Sequence, residues 1–169
     1  MRRYLGLIIV VGACCASRLP AQAAASPPAV PLLEKLIGHW TMTGTVGGRP
    51  VTYRLDAAWV LQHRFVELHM ADVHHTPPQY EARVFIGPDT LSGRILGHWL
   101  DNFGAAYSVP PATGVAAGDS LILDFPYPGG AFHDTFVYDA ATETWAIRLD
   151  AADGAGGWKR FAQYEATRR

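Results

Sequence analysis

Cysteine is almost missing from this chain. The two present, Cys14 and Cys15, lie side by side in an apolar leader, so no disulfide framework is expected to hold the folded part. Charge is sparse as well: 17% of residues are charged, with 14 basic and 15 acidic side chains and a formal net charge of −1. There is no basic stripe to neutralise phosphates, which excludes nucleic acid as an expected partner. No Gly-x-Ser-x-Gly elbow and no glycine-rich phosphate loop ahead of a helix occurs, so neither serine-hydrolase nor nucleotide chemistry is signalled. Long hydrophobic runs are missing too. The longest, Tyr4 to Ser17, is 14 residues, short of the roughly 20 that a spanning helix needs, so the mature chain is expected to carry no transmembrane span.

What is present begins with that leader. Arg2 and Arg3 precede the apolar run, and Ala21-Gln22-Ala23 is a small-residue cleavage tripeptide. Residues 1–23 therefore read as a signal peptide, and the expected location is periplasmic or secreted. Val11-Gly12-Ala13-Cys14 resembles a bacterial lipobox with Val where Leu is usual, which makes a lipid anchor at Cys14 the lesser alternative to cleavage after Ala23. Without Arg2, Arg3 and Arg18, the remaining 146 residues hold 11 basic and 15 acidic side chains, a net charge of −4. Residues 24–31 read as a flexible Pro/Ala tether, and 32–169 as a single domain that must draw its stability from a core.

Past the tether, the pattern runs at period two. Pro31 to Ile37 reads as one short helical turn, with Leu32, Leu33, Leu36 and Ile37 on one face. From Trp40 the residues alternate: Trp40, Met42, Gly44 and Val46 on one side, Thr41, Thr43 and Thr45 on the other. Further strands are expected over Val51–Val60, Arg64–Met70, Tyr80–Ile86, Gly93–Leu100, Ala105–Val109, Ser120–Phe125, Phe132–Tyr138, Thr144–Asp150 and Trp158–Ala166. Pro110–Gly118 reads as a loop. Turn signals such as Gly47-Gly48 and Gly87-Pro88-Asp89 separate the runs. Unbroken short connections favour an all-β fold, an up-and-down antiparallel barrel of about 8–10 strands with a short N-terminal helix, over a sandwich.

Leu36-Ile37-Gly38-His39-Trp40 resembles the Gly-x-Trp opening of calycin-type barrels, the lipocalins and their relatives. Tyr80-Glu81-Ala82 leading to Gly87, Gly97-His98-Trp99-Leu100-Asp101 and Gly157-Trp158 are similar to an uncharacterised lipocalin-like (calycin-type) family of exported bacterial proteins, with nitrobindin-like barrels more distant. The likeness covers Leu32 to Arg169. It implies that Gly38 and Trp40 are structural, with Trp40 closing the barrel floor against Lys159, Arg160 or Arg168, and it implies no established activity. Some nitrobindin-like barrels hold haem through a histidine near the chain end. Here the last histidine is His133, so neither haem nor another cofactor is expected.

Lumen candidates follow from the phase of each strand: Tyr53, Trp59, Tyr80, Trp99, Phe132, Asp134, Phe136 and Tyr138, with His98 or Asp101 added as a polar contact. Asp134 among aromatics needs a partner or a raised pKa, and Arg148 or Arg160 is positioned on a neighbouring strand to supply the partner. His63, Glu67 and His69 share a strand face, but positions four residues apart along a strand are about 13 Å apart, too far for one metal. These residues and His74 and His75 read as a solvated face and polar loop, and no metal site is expected. The expected function is an exported barrel binding a small apolar or amphipathic molecule in its lumen. The alternatives are a cofactor-free enzyme built on His98, Asp101, His133 and Asp134, and a ligand-free envelope interaction module with a packed barrel. A binding protein is favoured over an enzyme, because no third group that would orient a catalytic base is visible in sequence.

Overall fold

Pro31 supplies the preset φ of a helical first turn and opens α1 (Pro31–Leu36), a helix with no side-chain cap, held instead by burial of Leu32, Leu33 and Leu36. The computed structural model describes residues 30–169, so the expected signal peptide, the lipobox at Cys14 and nearly all of the tether lie outside the described residues. After α1 the chain runs through ten strands: β1 (Gly38–Val46), β2 (Arg49–Val60), β3 (Phe65–Asp72), β4 (Glu81–Pro88), β5 (Ile95–Asp101), β6 (Ala112–Ala117), β7 (Ser120–Phe125), β8 (Phe132–Asp139), β9 (Thr144–Ala152) and β10 (Trp158–Arg168). Each pairs antiparallel with its sequence neighbours, and β10 returns to pair with β1, Trp40 opposite Arg168 through Val46 opposite Ala162. The result is a closed up-and-down barrel with no free edge, compatible with a calycin-like fold.

The two-residue rhythm sets what faces inward. Trp40 and Met42 on β1, Tyr53, Leu55 and Ala57 on β2, Val66, Leu68 and Met70 on β3, and Ala82, Val84 and Ile86 on β4 are all buried. Phe136 and Tyr138 on β8 and Trp145, Ile147 and Leu149 on β9 close the circle. The outer wall carries ion pairs, among them Arg83–Glu67, His69–Glu81 at 2.7 Å and Arg160–Asp150 at 2.6 Å. This polarity is the reverse of a membrane-spanning barrel, whose outer band is apolar.

One strand is not where the alternation suggests. Ala105–Val109 contains a single 3₁₀ turn (Ala105–Tyr107) in a loop, and the sixth strand is Ala112–Ala117, inside the segment expected to be a loop. The inward residues of β6 are Ala112, Gly114 and Ala116, too small to give a hydrophobic signal. At Gly114 a Cβ would overlap the Ile122 carbonyl on β7, so the close approach of the two strands requires glycine there. The strand count is unchanged because the true strand lies next to the expected one.

The helix-bearing end of the barrel is sealed. Trp40 is fully buried and its Nε1 donates to the Leu36 carbonyl at 2.7 Å; Trp145 Nε1 donates to the Lys35 carbonyl at 3.2 Å. Arg168, rather than Lys159 or Arg160, covers the Trp40 ring, its guanidinium carbon 4.3 Å from the ring centroid. Arg168 Nη1 also donates to the Ile37 carbonyl at 3.2 Å, crossing Gly38, where φ is +137° and a Cβ would meet the guanidinium. Both the backbone angle and the crossing arginine therefore demand glycine at this position.

Candidate functional site

The opposite end of the barrel is built differently. On β2, β5 and β10 the inward phase ends in aromatic or acidic groups rather than aliphatic ones. Tyr53 lies 5.4 Å from the Tyr80 ring and 5.9 Å from the Tyr164 ring, centroid to centroid. Trp99 meets Phe125 edge-on at 6.2 Å, Phe125 stacks on Tyr127 at 5.3 Å, and Phe132 sits edge-on to Phe161 at 5.3 Å. These rings form a collar at the upper end of the lumen. Trp99 Nε1 donates to the Tyr80 hydroxyl at 3.1 Å, which ties β5 to the residue leading into the neighbouring β4.

Two carboxyl groups stand in or beside this collar. Asp101 ends β5, and its Oδ1 accepts the Phe103 amide at 3.0 Å; burial raises its pKa, against the lowering contributions of that amide, Tyr80 and Trp99. Asp134 is only 2% exposed, between Phe132 and Phe136 on the inward phase of β8. Burial, followed by the charges of Asp150 and Asp124, pushes its carboxyl well above the usual range. Among the described residues, the buried side-chain polar atoms without a hydrogen-bond partner are Asp134 Oδ1 and Tyr127 Oη. They lie at the same end of the barrel. Burial and then Asp134 raise the Tyr127 phenol; burial, then Tyr53, then Asp134 raise that of Tyr164. Both phenols thus feel the Asp134 charge, and neither is bonded to it.

Below the collar lies a small void lined by Met42, Leu55, Leu68, Met70, Trp99, Phe136, Ile147 and Tyr164. Its volume is about 10 Å³ for the centre of a water-sized sphere, room for a single water. The lumen is otherwise filled by its own side chains. Two methionines, Met42 and Met70, border the void, and thioether chains repack at low cost.

The sequence candidates divide by position. Tyr53, Tyr80, Trp99, Phe132, Asp134 and Phe136 are brought together in the upper and middle lumen. Trp59 and Tyr138 hold the inward phase but belong to the sealed end: Trp59 Nε1 donates to Glu34 at 3.0 Å, and Tyr138 packs on Trp145 at 5.1 Å with Lys35 Nζ 5.7 Å away. His98 is not in the lumen. Trp99 takes the inward position opposite Val84, so alternation turns His98 out beside Phe85, where its Nε2 meets the Ser108 carbonyl at 3.0 Å. Arg160 is neither a floor residue nor the partner of Asp134. The bulge between Arg160 and Ala162 turns it to the outer wall, where it bonds Asp150 at 2.6 Å and Gln163 at 3.1 Å. Arg148 is likewise exposed on the outer face. His133 also points outward, 2.7 Å from Asp124, so the histidines and lumen carboxyls of the enzyme alternative are not assembled. In the histidine-rich stretch, His69 bonds Glu81 at 2.7 Å and Glu67 pairs with Arg83.

Sequence reasoning missed Tyr127 and Tyr164. Tyr127 sits between two prolines and reads as a turn, and the phase of Tyr164 is visible only once the β10 bulge is known. No family model matches the chain, and no curated protein matches its sequence.

Proposed function

We propose that this is an exported, lipocalin-like barrel that holds a small apolar or amphipathic molecule in the upper half of its lumen. The observation that carries the reading is the pair of buried polar atoms, Asp134 Oδ1 and Tyr127 Oη, left without partners inside an aromatic collar. A buried polar atom without a partner costs about 1–3 kcal/mol, and such costs concentrate where a ligand supplies the missing bond. The Gly38-x-Trp40 opening with Arg168 across it supports membership of the calycin-type exported barrels. The basic start, short apolar run and Ala21-Gln22-Ala23 tripeptide support export to the periplasm or beyond.

Trp99 lines both the collar and the void, so its emission reports occupancy. Titration of the purified protein with fatty acids, retinoids and haem is expected to quench tryptophan fluorescence saturably, and Trp99→Phe is expected to remove most of that response. An unchanged spectrum across the panel overturns the reading. The small size of the void favours a second reading, a packed barrel that serves as an envelope interaction module; the same flat titration supports it.

A further inference from the structure

Among the described residues, the upper lumen has acceptors and ring faces but no cation. Around Asp134 the titratable groups are Asp150 and Asp124 on the flanking strands β9 and β7, together with Tyr127 and Tyr164; across the lumen stand Asp101, Tyr53 and Tyr80. The nearby cations are engaged or turned away: Arg160 is held by Asp150 and Gln163, Arg148 is exposed outside, and His133 bonds Asp124. The site is therefore acidic and aromatic at once. Resting on the reading of the lumen as a ligand site, we propose that its ligand is an organic cation, a protonated amine or amidine on an apolar body, whose N–H groups meet Asp134 Oδ1.

Three physical arguments converge on this chemistry. Asp134 Oδ1 and Tyr127 Oη are orphaned acceptors, and an ammonium or amidinium offers several donors. The faces of Tyr127, Tyr164 and Trp99 carry the negative quadrupole that attracts cations. A carboxylate or phosphate ligand would instead bring a negative charge with no lumen cation among the described residues to meet it. The apolar body extends toward Met42 and Met70, whose flexible side chains give way. Burial, with the charges of Asp150 and Asp124 behind it, favours the protonated form of Asp134, and an incoming cation favours the carboxylate. Cation and carboxylate then form a neutral buried pair.

The test compares three probes with one octyl chain and different heads: octylammonium, octanol and octanoate, titrated calorimetrically into the full chain near pH 6. Octylammonium is expected to bind roughly 10–100-fold tighter than octanol, as one charge-assisted hydrogen bond implies, with octanoate weakest. Asp134→Asn is expected to lower octylammonium to the octanol level. Equal affinity for the three heads, or a preference for octanoate, overturns the cation assignment while the lumen reading stands. Binding of none of the three, with tryptophan emission unchanged, overturns the lumen reading itself. Should Asp134→Asn fail to fold, the order of affinities for the three heads on the unaltered protein decides the question.

Discussion

The two ends of this barrel are made from the same strands but follow different rules. At the floor, Trp40 and Trp145 are buried with their indole N–H groups donated to helix α1 carbonyls, and Arg168 covers the outside. At the collar, a carboxyl is buried with one oxygen unpartnered, a phenol beside it is unpartnered too, and rings such as Phe161 and Phe103 remain exposed. Satisfied polar groups and dense packing are what stability alone would select. A local breach of those rules in an otherwise consistent fold is what supports the proposed site at this end. The floor tells how the barrel stands; the collar tells where to look for its use.

That contrast breaks most easily by cutting into the floor. Trp40→Ala is expected to destabilise the protein by about 3–5 kcal/mol in urea denaturation, because it opens a large cavity under α1 and strands the Leu36 carbonyl. A loss below about 1 kcal/mol would mean that the floor is not the stabilising end. Asp134→Leu is expected to act in the opposite direction, raising unfolding free energy by about 1–3 kcal/mol near neutral pH, since it removes an unpartnered buried carboxyl. The thermal midpoint then rises about 2–4 °C for each kcal/mol.

The same carboxyl sets a pH dependence. Its folded pKa is raised, so the folded chain keeps a proton that the unfolded chain releases near pH 4. Stability therefore falls as pH climbs from about 4 through the folded value, and Asp134→Asn is expected to flatten that slope. A wild-type slope unaffected by the substitution would place the titration elsewhere. Smaller effects sharpen the picture. Arg168→Ala is expected to cost about 0.5–1 kcal/mol, the worth of an exposed cation–π contact. Glu81→Gln, which unpairs His69 on the outer wall, is expected to cost about 0.2–1 kcal/mol at low salt and less at high salt.

Most of the barrel was legible because large inward residues alternate cleanly with polar ones, as in Tyr53, Leu55 and Ala57 against Arg54 and Asp56. The rhythm also placed Asp134 inside. It failed where its carriers were small, at Ala112, Gly114 and Ala116, and where a bulge reset the count, at Arg160 to Ala162. The site was only partly visible for a related reason. Strand phase tells which face a side chain takes but not its height along the barrel, so Trp59 and Tyr138 were grouped with residues at the far end. His98 was assigned by chemistry when its neighbour Trp99 already held the inward position. Tyr127 lies in a connection, where phase carries no information.

The hydrogen-bonding partner of β1 on one side is the last strand in the sequence, eleven residues ending at Arg168. During synthesis the leading edge of the sheet therefore waits, unzipped, until β10 has emerged. Contacts that far apart along the chain make for slow folding. A truncation of those eleven residues would leave two raw edges and a hollow open to water.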